Sequence, residues 1–524
     1  MTTIEIYDTT LRDGTQQEGI SLTAGDKLAI SRLLDALGVA YIEGGWPGSN
    51  PKDNEFFERA KTELNLETST LVAFGSTRHA GADAADDPQL AALVAADTDV
   101  ICLVGKSWDY HVEHALRTTK DEALAMISDS VAHLRSVDRR VFFDAEHFFD
   151  GYRTNPEFAL ATLRAAHEAG AERLVLCDTN GGTLPHDAGR IVAEVAEAVP
   201  GAVLGCHFHN DSGTAVANSL AAVRAGVAQV QGCMNGYGER TGNADLCSVI
   251  PNVSVKMGFE SIPPDRLPQL TGVSHHIAEI VNLTLDSHMP FVGTSAFTHK
   301  AGLHTSALAR RPDAYEHLSP DEIGNSTRTV VSELAGRSTV LAKAKDSGLN
   351  LSPDEAQAVV DRIKDLEHQG FHFEAADGSF ELLVREAHGW QHSFFDLESY
   401  RVFVENRGGE VTAEATVKVI VNGERIVTTS EGDGPVAAID GALRAALCDA
   451  YPHLSKVRLT DYRVRDLDSS DGPAARVRVL CQHRDGDGMW GTIGVHQNII
   501  DASWQAVCDG VVIGLLREEE RSRT

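Results

Sequence analysis

Short apolar runs alternate with amphipathic stretches through about the first 260 residues. The runs are IEIY (4–7), VAYIEGG (39–45), TLVAFGS (70–76), DVICLVGKS (99–107), RRVFFDAEH (139–147), ERLVLCDTNGG (172–182), AVLGCHFHND (202–211) and AQVQGCMNG (228–236). Runs that are apolar throughout and bounded by Gly or polar residues predict strands buried on both faces, as in a parallel sheet. The stretches between them predict helices. After the first run, Ile30, Leu33, Leu34 and Leu37 fall at i, i+3, i+4 and i+7. Thr23 and Asp26 form a capping-box pattern, and Gly38 supplies the stop. Eight such units predict a (β/α)8 TIM barrel over residues 1–260. A doubly wound sheet is the competing topology, but no G-x-G-x-x-G follows the first run.

Beyond residue 260 the pattern changes. Residues 261–395 read as a helical linker, with a helix over 351–370 that starts at Ser352 and stops at Gly370. Ahead of that helix lies FVGTSAFTHKAGLHTSALARRPDAYEHL (291–318), too rich in His and aromatic residues for an ordinary surface loop and read as a functional arm. Residues 396–524 contain a repeat. ATVKVIVNGERIVTTSEG and its following PVAAIDGALRAAL parallel ARVRVLCQHRDGDGMWGTIGV and NIIDASWQAVCDG, with Ile439-Asp440 matching Ile500-Asp501. Each copy predicts two strands and a helix, and the two copies an α+β module of regulatory or dimerising type whose sheets pair.

Composition narrows the function. The chain has 524 residues, 42% of them hydrophobic, and a net charge of −30. That balance argues against nucleic acid and anionic membranes as partners, so an anionic substrate needs local positive charge from an arginine or a metal. No run approaches the ~20 apolar residues of a membrane helix, and the first residues have neither the basic nor the apolar region of a signal peptide. Eight cysteines without C-x-x-C, several inside apolar runs (Cys102, Cys177, Cys481), predict reduced thiols in the cytoplasm.

Polar groups gather where the barrel strands end: Arg12 and Asp13, Glu43, Lys106 and Ser107, Glu146 and His147, Asp178 and Thr179, His207 and His209, Asn235. Barrel active sites occupy that face. In CHFHN, His207 and His209 stand at i and i+2, so both imidazoles point from one strand face toward one cation. Asp13, on the strand that closes the barrel against strand eight, is the third candidate ligand. Mixed N and O donors with open positions suit Mn2+, Mg2+, Co2+ or Zn2+ bound to a substrate carbonyl. Arg12 beside them can hold a carboxylate or a developing alkoxide. The Gly-rich loop NGYGERTGNADL (235–246) can approach a ligand with its backbone, and His299, His304, Lys300 and Tyr315 cluster on the arm.

DTTLRDGTQQEG, CHFHND, NGYGERTGNADL and AFTHKAGLHTSA occur in order along the chain. Together they resemble the 2-isopropylmalate, homocitrate and citramalate synthases of the metal-dependent DRE-TIM metallolyase superfamily. IEGGWPGSNPKD, VGKSWDYHV, DAEHFFDGY, YEHLSPDEIGN and NIIDASWQA are most similar to the citramalate synthase branch. The resemblance implies a Claisen condensation of acetyl-CoA with pyruvate and water. It implies Asp13, His207 and His209 as metal ligands, with Asn243 as a further or water-mediated ligand. Thr179 would bind the pyruvate carboxylate, Arg12 would stabilise the alkoxide, and Glu146 would line the pocket and help position the base. His304 and Tyr315 would come from an arm exchanged within a homodimer, His304 as the base that deprotonates the acetyl methyl. Isoleucine is implied as an effector of the C-terminal module, at helix starts near 432–435 and 497–498 flanked by Val436, Ile439 and Ile500. A purely structural dimerising role is the alternative there. Bulk at Trp108 and Phe148 is expected to favour pyruvate over the larger 2-oxo acid of a 2-isopropylmalate synthase, the nearest rival. Cleavage of hydroxyacyl-CoA or hydroxy-oxo acids by related barrels, and a non-catalytic amino-acid sensor, are the remaining alternatives.

Overall fold

The computed structural model describes residues 3–299, 307, 311, 314–329, 337–346, 349–391, 394–407, 409–467, 476–486 and 488–523. They group into two compact units, one of residues 1–297 with 316–327, the other of residues 298–315 with 328–524.

The first unit is built on a closed barrel of eight parallel strands. These are β1 (Glu5–Asp8), β2 (Tyr41–Gly45), β3 (Thr70–Ser76), β4 (Val100–Lys106), β5 (Arg140–Glu146), β6 (Arg173–Asp178), β7 (Leu204–Phe208) and β8 (Gln229–Gly232). Every apolar run read from the sequence is one of them. β1 pairs with β8 from Glu5↔Gln229 to Asp8↔Gly232, which closes the ring. Helix α1 (Ala24–Leu37) has the expected reciprocal capping box between Thr23 and Asp26, and Gly38 ends it at φ 90°. Its Ile30, Leu34 and Leu37 are buried against the barrel, as the periodicity requires.

The apolar core of this unit runs past residue 260. Helix α2 (Leu270–Val281) buries Leu270, Val273, Ile277 and Val281, and Phe291, Val292, Leu318 and Ile323 join the same cluster. The stripe at i, i+3, i+7 and i+11 gives that helix one apolar face, which seats on the barrel's outer layer.

One buried ion pair shapes the catalytic end of the barrel. Lys27 on α1 pairs with Asp53 and donates to the Gly44 carbonyl at 3.0 Å. Asp53 Oδ2 also accepts from the Trp46 backbone N–H at 2.8 Å. The turn after β2 is tied in this way to α1, and Gly45 passes the carboxylate at φ 149°, where an added Cβ would lie 2.6 Å from the Asp53 carboxyl carbon.

In the second unit, helix α3 (Pro353–His368) starts with a Ser352–Glu355 capping box, and Gly370 follows it at φ 105°. The repeat then appears as two three-stranded antiparallel sheets, β9 (Asp396–Arg407), β10 (Glu410–Val421) and β11 (Glu424–Gly432), and β12 (Arg458–Asp466), β13 (Val477–Arg484) and β14 (Met489–His496). Helix α4 (Pro435–Leu447) follows the first sheet and α5 (Ile499–Arg523) the second. This corrects the reading of two strands per copy. The leading strands β9 and β12 pair on one side only and carry charged residues along much of their length, so they lack the dense apolar signal of the central strands. Among the described residues the two sheets do not pair into one; residues of both sheets and both helices meet in a shared core that includes Val417, Ile439, Leu443, Val479, Val507 and Val512.

α5 also corrects the expectation that no segment is long and apolar enough to span a membrane. By length and composition residues 499–522 pass that test, yet 67% of the apolar window is buried within the fold. Its Ala502, Val507, Val511 and Leu515 belong to the C-terminal core.

Replacing Lys27 leaves Asp53 buried without its cation, a change that costs about 3–5 kcal/mol at comparable sites. Lys27→Met is expected to lower the unfolding free energy by that order, measured by urea unfolding followed through Trp fluorescence.

Candidate active site

The site is assembled at the C-terminal ends of the strands. The loop after β1 is pinned across the closure: Thr9 Oγ1 donates to the Gly232 carbonyl at 3.1 Å, and the Met234 N–H donates to Thr10 Oγ1 at 2.9 Å. Asp8 accepts from the Thr10 N–H and hydroxyl, both at 2.9 Å, and burial raises its carboxyl to about 7. This pinned turn delivers Arg12 and Asp13 to the ends of β7 and β8.

Asp13, His207 and His209 converge as the H-x-H pattern predicts. Their facing atoms all lie within 4.8 Å of one another, and all three residues are buried. Asp13 Oδ2 is 3.5 Å from His207 Nε2 and 3.8 Å from His209 Nε2, and the two Nε2 atoms are 3.3 Å apart. Burial pushes the Asp13 carboxyl up, but Arg12 and the two histidines outweigh it and hold it far below the usual carboxylate range. Burial together with the neighbouring His207 lowers His209 to about 4, so its imidazole is neutral and can offer a lone pair.

Asn243 arrives through the Gly-rich loop, which bridges to His209 at Asn243. Its Nδ2 donates to the Tyr237 carbonyl at 3.1 Å, which leaves Oδ1 as the free end. Gly238 and Gly242 make this turn possible, at φ 145° and 88°; a Cβ on Gly238 would stand 2.2 Å from Asn243 Nδ2. Arg240 anchors the loop through two bonds to Asp211 (2.7 and 2.9 Å) and one to the Thr179 carbonyl (2.7 Å).

The donor set fits a divalent cation. Asp13 Oδ1 and Asn243 Oδ1 are buried oxygens with no hydrogen-bond partner. Unpartnered oxygens beside opposed imidazole nitrogens are costly unless a cation gathers them.

Arg12 sits beside this cluster. Its Nε donates to Glu43 Oε1 at 2.5 Å, its Nη1 lies 3.3 Å from Asp13, and its guanidinium stacks on Phe74 with Cζ 3.8 Å from the ring centroid. Glu43 is fully buried, and Tyr7 donates to its other oxygen at 2.6 Å. A cavity of about 380 Å³ opens from these groups and is also lined by Trp46, Val104, Leu116, Glu146 and Thr179. Thr179 Oγ1 accepts from the His147 N–H at 3.0 Å, which leaves its own proton free to donate. Glu146 forms an ion pair with Lys106 at the cavity wall.

Arg12, Asp13, Glu146, Thr179 and His209 therefore share one cavity wall, with His207 and Asn243 buried behind it. Tyr315 belongs to the second unit and is half exposed, and His304 lies outside the described residues. The expected role of Trp108 and Phe148 is corrected. Neither lines the cavity. His147 adopts φ 57°, which turns the chain out of β5, so Phe148 packs on Phe149 and Tyr152 while Trp108 stacks on His111. Phe74, Trp46 and Val104 line the cavity instead. Phe74, Trp46, Gln231 and Asp144 were not singled out from the sequence, and Glu43 was noted only as a strand end. For Glu43, Asp144 and Gln231 the signal is a polar side chain inside an apolar strand, as with Gln229 and Gln231 flanking Val230; Phe74 and Trp46 carry no such mark.

Comparison with known proteins defines the class. Residues 3–273 match the HMGL-like family, residues 291–370 the homocitrate synthase post-HMGL domain-like family, and residues 374–514 the LeuA allosteric (dimerisation) domain. An HMGL-like barrel followed by a LeuA-type module is thus the architecture. The chain is 54% identical to an (R)-citramalate synthase of Streptomyces coelicolor over 98% of its own length and 96% of the relative's. It is 49% identical to the (R)-citramalate synthase of Aquifex aeolicus over 99% and 98%. A probable 2-isopropylmalate synthase of Methanopyrus kandleri is 32% identical over 97% of each chain. The chain belongs to the (R)-citramalate synthase family.

Proposed function

We propose that the protein is an (R)-citramalate synthase, an acyltransferase that joins acetyl-CoA, pyruvate and water to give citramalate and CoA. One observation carries the reading: Asp13, His207 and His209 converge beside Arg12, at a cavity of about 380 Å³ with room for a 2-oxo acid. The 2-isopropylmalate synthase reading is weaker, since that relative stands at 32% identity against 54% and 49%. A sensor without catalysis would have no use for the converged donors.

Asp13, His207, His209 and Asn243 would hold the divalent cation, Mn2+, Mg2+, Co2+ or Zn2+. When bound, the cation supplies Lewis acidity toward the 2-oxo acid's carbonyl. Thr179 donates its free proton to the substrate carboxylate. Arg12, locked by Glu43 and Phe74, places its guanidinium where negative charge develops on the former keto oxygen. Phe74, Trp46 and Val104 leave room for a methyl group. Glu146, fixed by Lys106, orients the thioester and its base. His304 takes a proton from the acetyl methyl; the resulting carbanion carbon bonds to C2 of pyruvate while the keto π pair moves to its oxygen, which takes up a proton to become the hydroxyl, and water then cleaves the thioester, leaving its hydroxyl on the acyl carbon and its proton on the CoA sulfur. The reaction belongs to a cytoplasmic route to isoleucine, and all eight cysteines are free thiols.

The assembly is a homodimer in which the arm, residues 291–320, keeps its two ends on its own barrel through Phe291, Val292 and Leu318 and sends the part between them, with His304 and Tyr315, into the partner's barrel. The LeuA-type module supports a dimer and a regulatory role. Isoleucine is the proposed effector, its carboxylate at a helix start such as Asn498 and its side chain against apolar neighbours such as Ile500.

Thiol release from acetyl-CoA with pyruvate is expected to require a divalent cation, and His207→Ala and Asp13→Ala are each expected to abolish it; full activity after chelation would refute the site. Mixing His304→Ala with His207→Ala subunits is expected to restore part of the activity, read after subunit exchange is verified by mass. Isoleucine is expected to bind the full-length enzyme in calorimetry and to slow turnover at millimolar levels.

A further inference from the structure

The strand register brings two further groups up to the cation site. His207 on β7 pairs directly with Gln231 on β8, so both side chains enter the barrel at one level. His207 Nδ1 is 2.9 Å from Gln231 Oε1, and Gln231 Nε2 is 3.0 Å from Asp144 Oδ1 on β5. All three residues are buried.

A neutral imidazole carries one N–H. To offer a lone pair from Nε2, His207 must hold its proton on Nδ1, and that proton needs an acceptor. The carboxamide supplies one only in the orientation that sets Oε1 against His207. Rotated by half a turn, the amide would present N–H₂ to Nδ1 and drive the proton to Nε2, where the lone pair is lost. Asp144 blocks that rotation, because a carboxylate accepts the amide N–H and repels the amide oxygen. Glu43 does not compete for the amide. Its two oxygens are already taken by Arg12 Nε at 2.5 Å and the Tyr7 hydroxyl at 2.6 Å. Each group in the series therefore has one hydrogen-bonding sense.

We propose that Gln231 and Asp144 are positioning residues that fix the tautomer of His207, Gln231 by accepting its Nδ1 proton and Asp144 by holding the amide in the accepting orientation. The proposal rests on the cation site described above. Partners of this kind change metal affinity about 10–100-fold when removed.

The test uses full-length protein stripped by chelator, with Mn2+ as the probe in calorimetry. Asp144→Leu and Gln231→Met are expected to weaken Mn2+ binding by about 10–100-fold. Asp144→Asn, whose amide can donate to a rotated Gln231 as well as accept from it, is expected to fall between the parent and Asp144→Leu. Histidine 15N NMR of the metal-free protein is expected to show His207 protonated on Nδ1 in the parent and on Nε2 in a larger share of Asp144→Leu. Unchanged Mn2+ affinity in Asp144→Leu and Gln231→Met overturns the proposal, even if their thermal midpoints fall, since a structural role would move only stability. If Asp144→Leu does not fold, Gln231→Met decides alone by the same criterion. Failure of the parent itself to bind Mn2+ overturns the cation site and this proposal together, whereas binding indifferent to the substitutions overturns this proposal only.

Discussion

Closure of the barrel between β1 and β8 is the constraint on which the site depends. Glu5 to Asp8 pair in register with Gln229 to Gly232. That register sets the height at which the chain leaves β1, and with it the positions of Arg12 and Asp13 beside His207 and His209. A shift of one residue would turn every side chain of β1 to the opposite face. Tyr7 would leave Glu43, and Asp13 would leave the imidazoles. The pins from Thr9 to Gly232 and from Met234 to Thr10 hold the loop once the register is made.

Electrostatics explains why the interior is so polar. A chain with a net charge of −30 has to receive anionic substrates. Among the described residues that line the cavity, one guanidinium serves for this, Arg12, partly buried between Glu43 and Asp13 and laid on the Phe74 ring. Two carboxylates around one guanidinium leave the pocket short of positive charge, and the unpartnered oxygens of Asp13 and Asn243 mark where a cation makes up the difference. Burial works in the same direction, because the field of each charge is less screened in the barrel than in water. Arg12 itself is fixed on two sides, so it does not have to reorganise as charge develops on the substrate.

The C-terminal module is held together differently. Its two copies each lay a helix on a three-stranded sheet, and both copies contribute to one apolar core. Here the work is done by periodicity and packing, and among the described residues no metal-type cluster of carboxylates and imidazoles like that of the barrel converges. The match to a LeuA allosteric (dimerisation) domain agrees with that division of labour.

Much of this was legible in the sequence. Eight apolar runs set the barrel, and Thr23, Gly38, Ser352 and Gly370 marked helix ends correctly, because caps and periodicity act over a few residues. His207 and His209 could be read as a pair, since strand geometry alone places i and i+2 on one face. Tertiary structure decided the rest. Glu43 on Arg12, Gln231 on His207 and Asp144 on Gln231 are contacts across 31, 24 and 87 residues, and no local rule joins them. Phe148, bulky and next to a strand end, was aimed at the pocket by sequence order, but the left-handed turn at His147 sends it into the helical layer. The leading strands of the repeat were missed for the same kind of reason: an edge strand with charged side chains is defined by its hydrogen-bonded neighbour more than by its own pattern. Local chemistry fixes which elements form, and the closed ring of strands fixes which side chains meet.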